Sequence, residues 1–185
     1  MKILISPLSY FFIFFISLSL DSLSQNQAYR QRVNTSGVKT SYGPHFKIPE
    51  PVGLVNDFEK LFSETETKKL DSLIMVIHNV TSVQVAIITI DSNMINKDQV
   101  EDFTKETFKS WGMQVNGQFN GILIGLSKAS KKLRIENGTG VEQVLSDYEI
   151  KGIVDNIFIP YLKEDKYYEG TINGLIAIMN KLKVK

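Results

Sequence analysis

The chain has 185 residues, of which 43% are apolar and 22% are charged, a composition that fits one compact domain and excludes a disordered or fibrous chain. Lys and Arg total 21 against 20 Asp and Glu, and no long run of one sign indicates a nucleic-acid surface, so we expect no DNA or RNA partner. Because the chain contains no cysteine, disulfides, thiolate zinc sites and cysteine nucleophiles are excluded, and imidazole chemistry is limited to His45 and His78.

Residues 1–24 have the profile of an export signal. Lys2 precedes an uncharged stretch from Ile3 to Leu20 with a dense apolar centre, and two serines near its end have the spacing that a signal peptidase recognises. Cleavage before Gln25 would place the remaining chain in the periplasm or the extracellular space. The alternative is a retained N-terminal membrane anchor, because an uncharged stretch of this length can just span a bilayer.

Residues 25–51 are rich in Gln, Asn, Ser, Thr and Gly and show no helix or strand period, which predicts a flexible linker. His45 lies in this linker, and we interpret it as a solvated loop histidine because no second metal ligand is spaced near it. The folded domain is predicted to cover residues 52–185.

Apolar spacing and start signals predict four helices. Capping boxes, in which two side chains satisfy backbone N–H groups at a helix start, are predicted at Ser63 with Glu66 and at Ser146 with Glu149. Pro160 is expected to help close the third helix. The predicted helices are Glu64 to Asn79, Lys97 to Trp111 after a cap at Asn96, one opening at Ser146, and Tyr167 to Leu182 with the stripe Ile172, Leu175, Ile176 and Met179. His78, near the end of the first helix, is interpreted as a packed or dipole-facing residue.

Three strands are predicted between these helices. Val83 to Ile90 is apolar on both alternating faces, which is typical of a central strand covered on both sides. Gly121 to Ser127 is a second buried strand, and Lys132 to Glu136 alternates as a half-exposed strand does. The short connection between the last two predicts an antiparallel hairpin. Strands that alternate with helices predict an α/β sandwich.

The hairpin is expected to bring oxygen-bearing side chains to one end of the sheet. A turn centred near residues 129–130 sets Asn120 opposite Gly138, where two glycines, at 138 and 140, would permit positive φ and let carbonyl oxygens turn inward. Oxygen donors without nitrogen or sulfur suit a hard cation such as Ca²⁺ or Mg²⁺ and suit zinc poorly. The plain alternative is a glycine-containing turn with a helix-start carboxylate, which is common in α/β domains. The side chains expected there are Asn120, Asn137, Glu142 and Asp147.

Several short motifs follow one another in a recognisable order. They are Val55-Asn56-Asp57-Phe58 followed by Leu61-Phe62-Ser63, Trp111 before a loop, Asn120-Gly121-Ile122-Leu123, Gly138-Thr139-Gly140-Val141-Glu142, and Asp147. In this order they resemble the TPM domain, the family of the thylakoid acid phosphatase-like proteins, over Val52 to Leu182. The resemblance implies a three-layer α/β/α sandwich with a roughly four-stranded mixed sheet, in proteins that are often exported or membrane-tethered.

The resemblance also implies a divalent-cation site among the family's acidic motifs. Carried over by position, those motifs fall on Asp57, Asn120, Glu142 and Asp147, and Asp57 joins the candidates only in this way. With Asn137 from the hairpin argument, the candidate ligands for Ca²⁺ or Mg²⁺ are Asp57, Asn120, Asn137, Glu142 and Asp147.

Two functions follow as hypotheses. The first is an exported, non-catalytic module that binds a divalent cation and acts as a protein-interaction or membrane-complex maintenance factor, tethered to the membrane if its first segment is retained. The second, which the resemblance implies, is a metal-dependent acid phosphatase in which Asp57 or Glu142 positions water. We favour the first because the sequence lacks a cysteine, paired histidines and an Asp-x-Asp motif for phosphoryl transfer.

Overall fold

The computed structural model describes residues 46–113 and 120–183. The predicted signal or anchor segment 1–24 and the linker up to residue 45, including His45, lie outside the described residues. The elements in chain order are β1 (Val55–Asp57), α1 (Glu64–Thr81), β2 (Gln84–Thr89), a 3₁₀ turn (Lys97–Gln99), α2 (Val100–Ser110), β3 (Gly121–Ser127), β4 (Lys132–Asn137), α3 (Thr139–Glu142), α4 (Asp147–Ile153), a π-helical segment (Val154–Phe158), α5 (Ile159–Lys163) and α6 (Tyr167–Lys183).

One four-stranded mixed sheet organises the domain. Its strand order is β1-β2-β3-β4, in which β1, β2 and β3 are parallel and β4 is antiparallel to β3. Strand β1 was not predicted as a strand because three residues, Val55–Asp57, are too few to show a period. It pairs with β2 only at the edge of the sheet, from Val55 beside Ile87 to Asp57 beside Thr89.

Helices cover both faces of the sheet, so the fold is the three-layer α/β/α sandwich predicted. On β2, Val85 and Ile87 belong to the core shared with α1, α4 and α6, whereas Ala86 and Ile88 belong to the core shared with α2. Each of these strand side chains is at most 2% exposed. Since successive strand residues point to opposite faces, an unbroken apolar run such as β2 requires a helical layer on each side.

The two parallel crossovers have opposite hands. Helix α1 connects β1 to β2 on one face, and α2 connects β2 to β3 on the other face. Because both connections step in the same direction across the sheet, one of them is left-handed, a rare arrangement in parallel β-α-β units.

Both predicted capping boxes are confirmed. At α1 the Ser63 N–H donates to Glu66 Oε2 over 2.7 Å, and the Glu66 N–H donates to Ser63 Oγ over 3.3 Å. At α4 the Ser146 N–H donates to Glu149 Oε2 over 3.1 Å, and the Glu149 N–H donates to Ser146 Oγ over 3.4 Å. The local start signals therefore locate these two helices to the residue.

Pro160 does not close the helix that opens at Ser146, contrary to the prediction. Helical structure continues through α5 to Lys163, and in the preceding π-helical segment the Ile159 N–H donates to Val154 O, five residues back. Proline lacks an N–H and displaces the carbonyl four residues before it. The wider π turn is how the chain accommodates Pro160 without ending the helix.

The buried stripe of α6 also differs from the prediction. Ile176 is 39% exposed, whereas Ile178 is fully buried. Gly170 and Gly174 lie on the buried face of α6, where Gly174 lies against the Phe158 ring. Because apolar spacing gives small residues little weight, the sequence assigned the stripe to the larger side chains beside them.

The folded part begins before the predicted boundary at residue 52. Phe46 and Ile48, predicted to lie in the flexible linker, are 7% and 3% exposed and belong to the core beneath α2. The Phe46 ring meets the Phe103 ring edge to face at 5.5 Å, and Trp111 Nε1 donates to Pro49 O over 2.8 Å. These contacts make residues 46–51 part of the domain rather than of the linker.

No helix among residues 46–113 and 120–183 is both long and apolar enough to cross a membrane.

Candidate functional site

The two ends of the strands carry different side chains, and each row of strand ends is named after the direction of the parallel strands. The amino edge is the row that holds the amino ends of β1, β2 and β3 and the carboxyl end of β4. The carboxyl edge holds the carboxyl ends of β1, β2 and β3 and the start of β4. The strand pairing therefore shows at which of these two edges each residue lies.

The predicted hairpin places Asn120 and Asn137 at the amino edge. Strands β3 and β4 pair from Ile122 beside Asn137 to Ser127 beside Lys132. Gly138 lies beside Gly121, because the Gly138 N–H donates to Gly121 O over 2.9 Å, so the register is one residue from an Asn120 to Gly138 pairing. Asn120 also belongs to this edge through its carbonyl, which accepts the Gln84 N–H over 3.0 Å.

The loop after β4 supplies the carboxylates of this edge. It turns into the single helical turn α3, where the Glu142 N–H donates to Gly138 O over 3.1 Å, and Asn137 Nδ2 donates to Leu145 O over 3.4 Å. Asp147 follows as the first residue of α4. The predicted positive φ of Gly138 and Gly140 is wrong, because Gly138 has φ −82° and Gly140 lies inside α3.

Glu142 and Asp147 are exposed, and neither side chain forms a hydrogen bond or ion pair within the described parts of the chain. Asn120 and Asn137 are half-buried. The side chains of all four residues carry oxygen donors, which chemically suit Ca²⁺ or Mg²⁺. No three His, Asp or Glu residues are grouped to hold a metal ion anywhere in residues 46–113 and 120–183, so amide and main-chain oxygens would have to complete such a site.

Asp57 is not part of this set, because it lies at the carboxyl edge beside Thr89. Its Oδ1 accepts from Thr89 Oγ1 over 2.7 Å and from the Leu61 N–H over 2.9 Å, and its Oδ2 accepts from the Phe62 N–H over 2.8 Å. Both carboxylate oxygens are therefore used to fix the turn between β1 and α1. The structure separates Asp57 from the other four candidate residues.

The sequence analysis did not identify Glu59, whose carboxylate connects the turn after β1 to the β3–β4 turn at the carboxyl edge. Its Oε2 accepts from the Lys128 N–H over 2.8 Å, and its Oε1 accepts from the Ala129 N–H over 3.1 Å. Burial raises the pKa of this carboxyl, the two N–H groups oppose the shift, and the negative charges of Asp91 and Asp57 add to it. Lys128 in turn lies over the Tyr167 ring at 5.5 Å.

The carboxylates at the carboxyl edge are bonded to the protein itself. Ligands of open α/β sheets usually bind beyond the carboxyl ends of the strands. Here Asp57 and Glu59 use their carboxylates on the protein's own backbone at that edge. Only a long-range contact places Glu59 on the β3–β4 turn, so no periodicity or spacing in the sequence could have indicated it.

His78 lies near the carboxyl end of α1. It is half-buried in the last turn of α1, and its backbone carbonyl accepts the Ser82 N–H over 2.8 Å. This position agrees with a packed residue at a helix end.

Strand order, strand direction and helices on both faces define a three-layer α/β domain with two exposed carboxylates, Glu142 and Asp147, at its amino edge. The family model of the TPM domain matches residues 55–181 of the chain. The chain therefore belongs to the TPM domain family, as its motifs indicated. Among curated proteins, none matches it.

Solved structures of bacterial proteins have the same fold. The N-terminal domain of a protein from P. gingivalis is 28% identical with a TM-score of 0.64, over 71% of this chain and 82% of that one. The BA42 protein of Bizionia argentinensis is 20% identical with a TM-score of 0.58, over 68% and 83% of the two chains. An N-terminal domain from Corynebacterium glutamicum is 15% identical with a TM-score of 0.55, over 76% and 84%. The last two similarities concern the fold alone.

Proposed function

We propose that this chain is an exported, non-catalytic TPM module that binds Ca²⁺ or Mg²⁺ at the amino edge of its sheet and presents that edge to a protein partner, such as a membrane complex. The observation that carries the proposal is the β3–β4 register, which puts Asn120 and Asn137 at the edge that also holds Glu142 and Asp147.

The unpaired state of the two carboxylates supports this choice of edge. Glu142 and Asp147 are exposed and have no partner within the described residues, whereas Asp57 and Glu59 are committed to backbone N–H groups. A cation bound by both carboxylates and by Asn120 would connect the start of β3 to the start of α4. With only two carboxylates, we expect a dissociation constant of about 10⁻⁴ to 10⁻³ M, as in extracellular calcium modules.

Exposed apolar side chains at the same edge support a protein partner. Tyr148, beside Asp147 at the start of α4, is 86% exposed, and Val52, just before β1, is 71% exposed. Aromatic residues are enriched where proteins meet, because they bury a large area and carry a polar group. The cation and the apolar residues would thus form one docking edge.

A cation titration tests the site. Addition of Ca²⁺ or Mg²⁺ to about 10 mM, above the expected dissociation constant, should raise the melting temperature of the full chain and shift the amide resonances of Asn120 and residues 137–147. The stabilisation follows RT ln(1 + [L]/Kd), about 1.4 kcal/mol at tenfold excess. No shift at this concentration, or shifts centred elsewhere, would contradict the proposed site.

A matched pair of variants separates the site from general charge effects. Glu142→Gln with Asp147→Asn should abolish the cation-induced stabilisation. Glu101→Gln with Asp102→Asn removes the same charge from exposed positions in the first turn of α2 and should preserve it. If both double variants respond alike, the cation acts by screening and not at the amino edge.

No observation favours the phosphatase alternative. Arg134, the strand residue considered for phosphate contact, donates through Nε to Glu136 Oε1 over 2.8 Å. Hydrolysis of a phosphomonoester by the full chain that disappears in the Glu142→Gln, Asp147→Asn variant would replace the non-catalytic proposal with a metal-dependent enzyme.

Export is tested separately at the amino terminus. Sequencing of the mature protein from its native host should give Gln25 as the first residue if residues 1–24 are a cleaved signal, and Met1 or Lys2 if they are a retained anchor.

A further inference from the structure

Strand β4 (Lys132–Asn137) is an edge strand, and no strand of residues 46–113 or 120–183 lies along its outer side. It is the last strand in the order β1-β2-β3-β4 and pairs with β3 alone in the part of the chain that the structure describes. It is twice as long as β1 at the opposite edge, with 6 residues against 3. Edge strands of this kind present backbone N–H and C=O groups to which another chain can pair.

The hairpin register identifies which backbone groups point outward. The Gly138 N–H donates to Gly121 O, and bonded and non-bonded pairs alternate along an antiparallel ladder. Glu136 and Arg134 therefore direct their N–H and C=O groups toward Leu123 and Gly125 of β3. The groups of Leu133, Ile135 and Asn137 point away from the sheet, with three donors and three acceptors along the free edge.

The charged side chains of β4 favour one register in which the β4 strands of two copies could pair. In an antiparallel pair the outward residues must oppose one another, which permits Ile135 opposite Ile135 with Leu133 opposite Asn137 of the second copy. In this register Arg134, whose Nε already donates to Glu136 of its own chain over 2.8 Å, also faces Glu136 of the second copy, and the reverse pair forms by symmetry. A shift by two residues in either direction instead puts like charges opposite each other, because Arg134 or Glu136 then faces itself. Opposite charges across a strand pair stabilise it, and like charges destabilise it.

We propose that β4 pairs antiparallel with β4 of a second copy of this chain, which would extend two four-stranded sheets into one eight-stranded sheet about a twofold axis at Ile135. This self-association surface shares Asn137 with the amino edge, but it uses the backbone groups of that residue and not its side chain, and it does not require a cation. Charges on edge strands often prevent association. A strand that carries only one sign would repel its copy, whereas the alternation of Arg134 and Glu136 is self-complementary.

The contact is short, so the dimer is expected to be weak. Stable dimers bury roughly 1,200 Å² or more in total, which a single pair of short strands does not reach on its own. Sedimentation velocity on the full chain, from about 5 to about 500 μM, should show a reversible rise from monomer to dimer, as expected for association in the range of weak complexes. A monomer throughout this range overturns the proposal.

Charge reversal tests the register. Arg134→Glu and Glu136→Arg should each remove the dimer, because each places two like-charged pairs across the seam. An equimolar mixture of the two variants should form a heterodimer, and the double swap should restore the homodimer. Circular dichroism confirms that each variant is folded. Dimerisation of either single variant as strong as that of the unchanged chain overturns this register.

Amide hydrogen exchange identifies the strand directly. Exchange at Leu133, Ile135 and Asn137 should slow as the protein concentration rises, whereas Arg134 and Glu136, already bonded to β3, should change little. Protection of the three outward amides that is independent of concentration means that another segment of the same chain covers the edge, and it overturns the proposal.

Discussion

At the scale of single residues, Asp57 shows how a motif residue can be structural. Three donors, the Thr89 hydroxyl and two backbone N–H groups, share its carboxylate. Asp57→Ala should lower the free energy of unfolding by about 2–4 kcal/mol, because it leaves these donors without a charged acceptor. Urea unfolding followed by circular dichroism measures this loss.

The same variant distinguishes the two edges. Because Asp57 lies at the carboxyl edge, Asp57→Ala should keep the cation-induced rise in melting temperature. Loss of that rise in a folded Asp57→Ala protein would place Asp57 among the cation ligands after all.

Glu59 gives the stability of the fold a specific pH dependence. Because its pKa is raised in the folded state, the folded chain holds this proton more tightly than the unfolded chain does. The contribution of this proton to the free energy of unfolding is complete below the pKa of Glu59 in the unfolded chain. It declines as the pH rises through the pKa of Glu59 in the folded chain. The stability of the unchanged chain relative to Glu59→Gln should therefore fall as the pH rises above the ordinary glutamate pKa of about 4.3. Parallel urea titrations measure the difference, and a constant difference would contradict the assignment.

At the scale of elements, replacing either of two helical glycines with alanine should change the stability of the protein in opposite directions. A Cβ on Gly174 of α6 would overlap the Phe158 ring, whereas a Cβ on Gly152 of α4 meets nothing within 4 Å. Gly174→Ala should destabilise the protein by roughly 1–3 kcal/mol through overpacking. Gly152→Ala should stabilise it by roughly 0.5–1 kcal/mol through helix propensity. Melting temperatures that move in the same direction for both would contradict this packing of α6.

Elements were predictable where the signal is local. The capping pairs at Ser63 and Ser146 fix two helix starts within four residues of sequence, and the short β3–β4 connection fixes the hairpin. The amino-edge set followed from that hairpin. The π-helical accommodation of Pro160 and the contact of Glu59 with the β3–β4 turn depend on tertiary packing. Spacing along the chain carries no information about such contacts.

At the scale of the whole molecule, the position of the domain boundary can be tested by truncation. A chain that starts at Val52 loses the burial of Phe46 and Ile48, worth about 3–6 kcal/mol for two fully buried side chains. A chain that starts at residue 40 retains both and should unfold at a higher urea concentration than the chain that starts at Val52. Equal midpoints for the two truncations would mean that residues 46–51 add nothing to the fold.

The contact between Trp111 and Pro49 provides a built-in optical reporter. The chain has one tryptophan, and its indole N–H is bonded to the carbonyl of Pro49 at the entry of the domain. Intrinsic fluorescence therefore observes this single corner of the molecule. If residues 46–51 detach before the sheet melts, the emission will shift to longer wavelengths ahead of the loss of ellipticity, so comparing the two signals separates local opening from global unfolding.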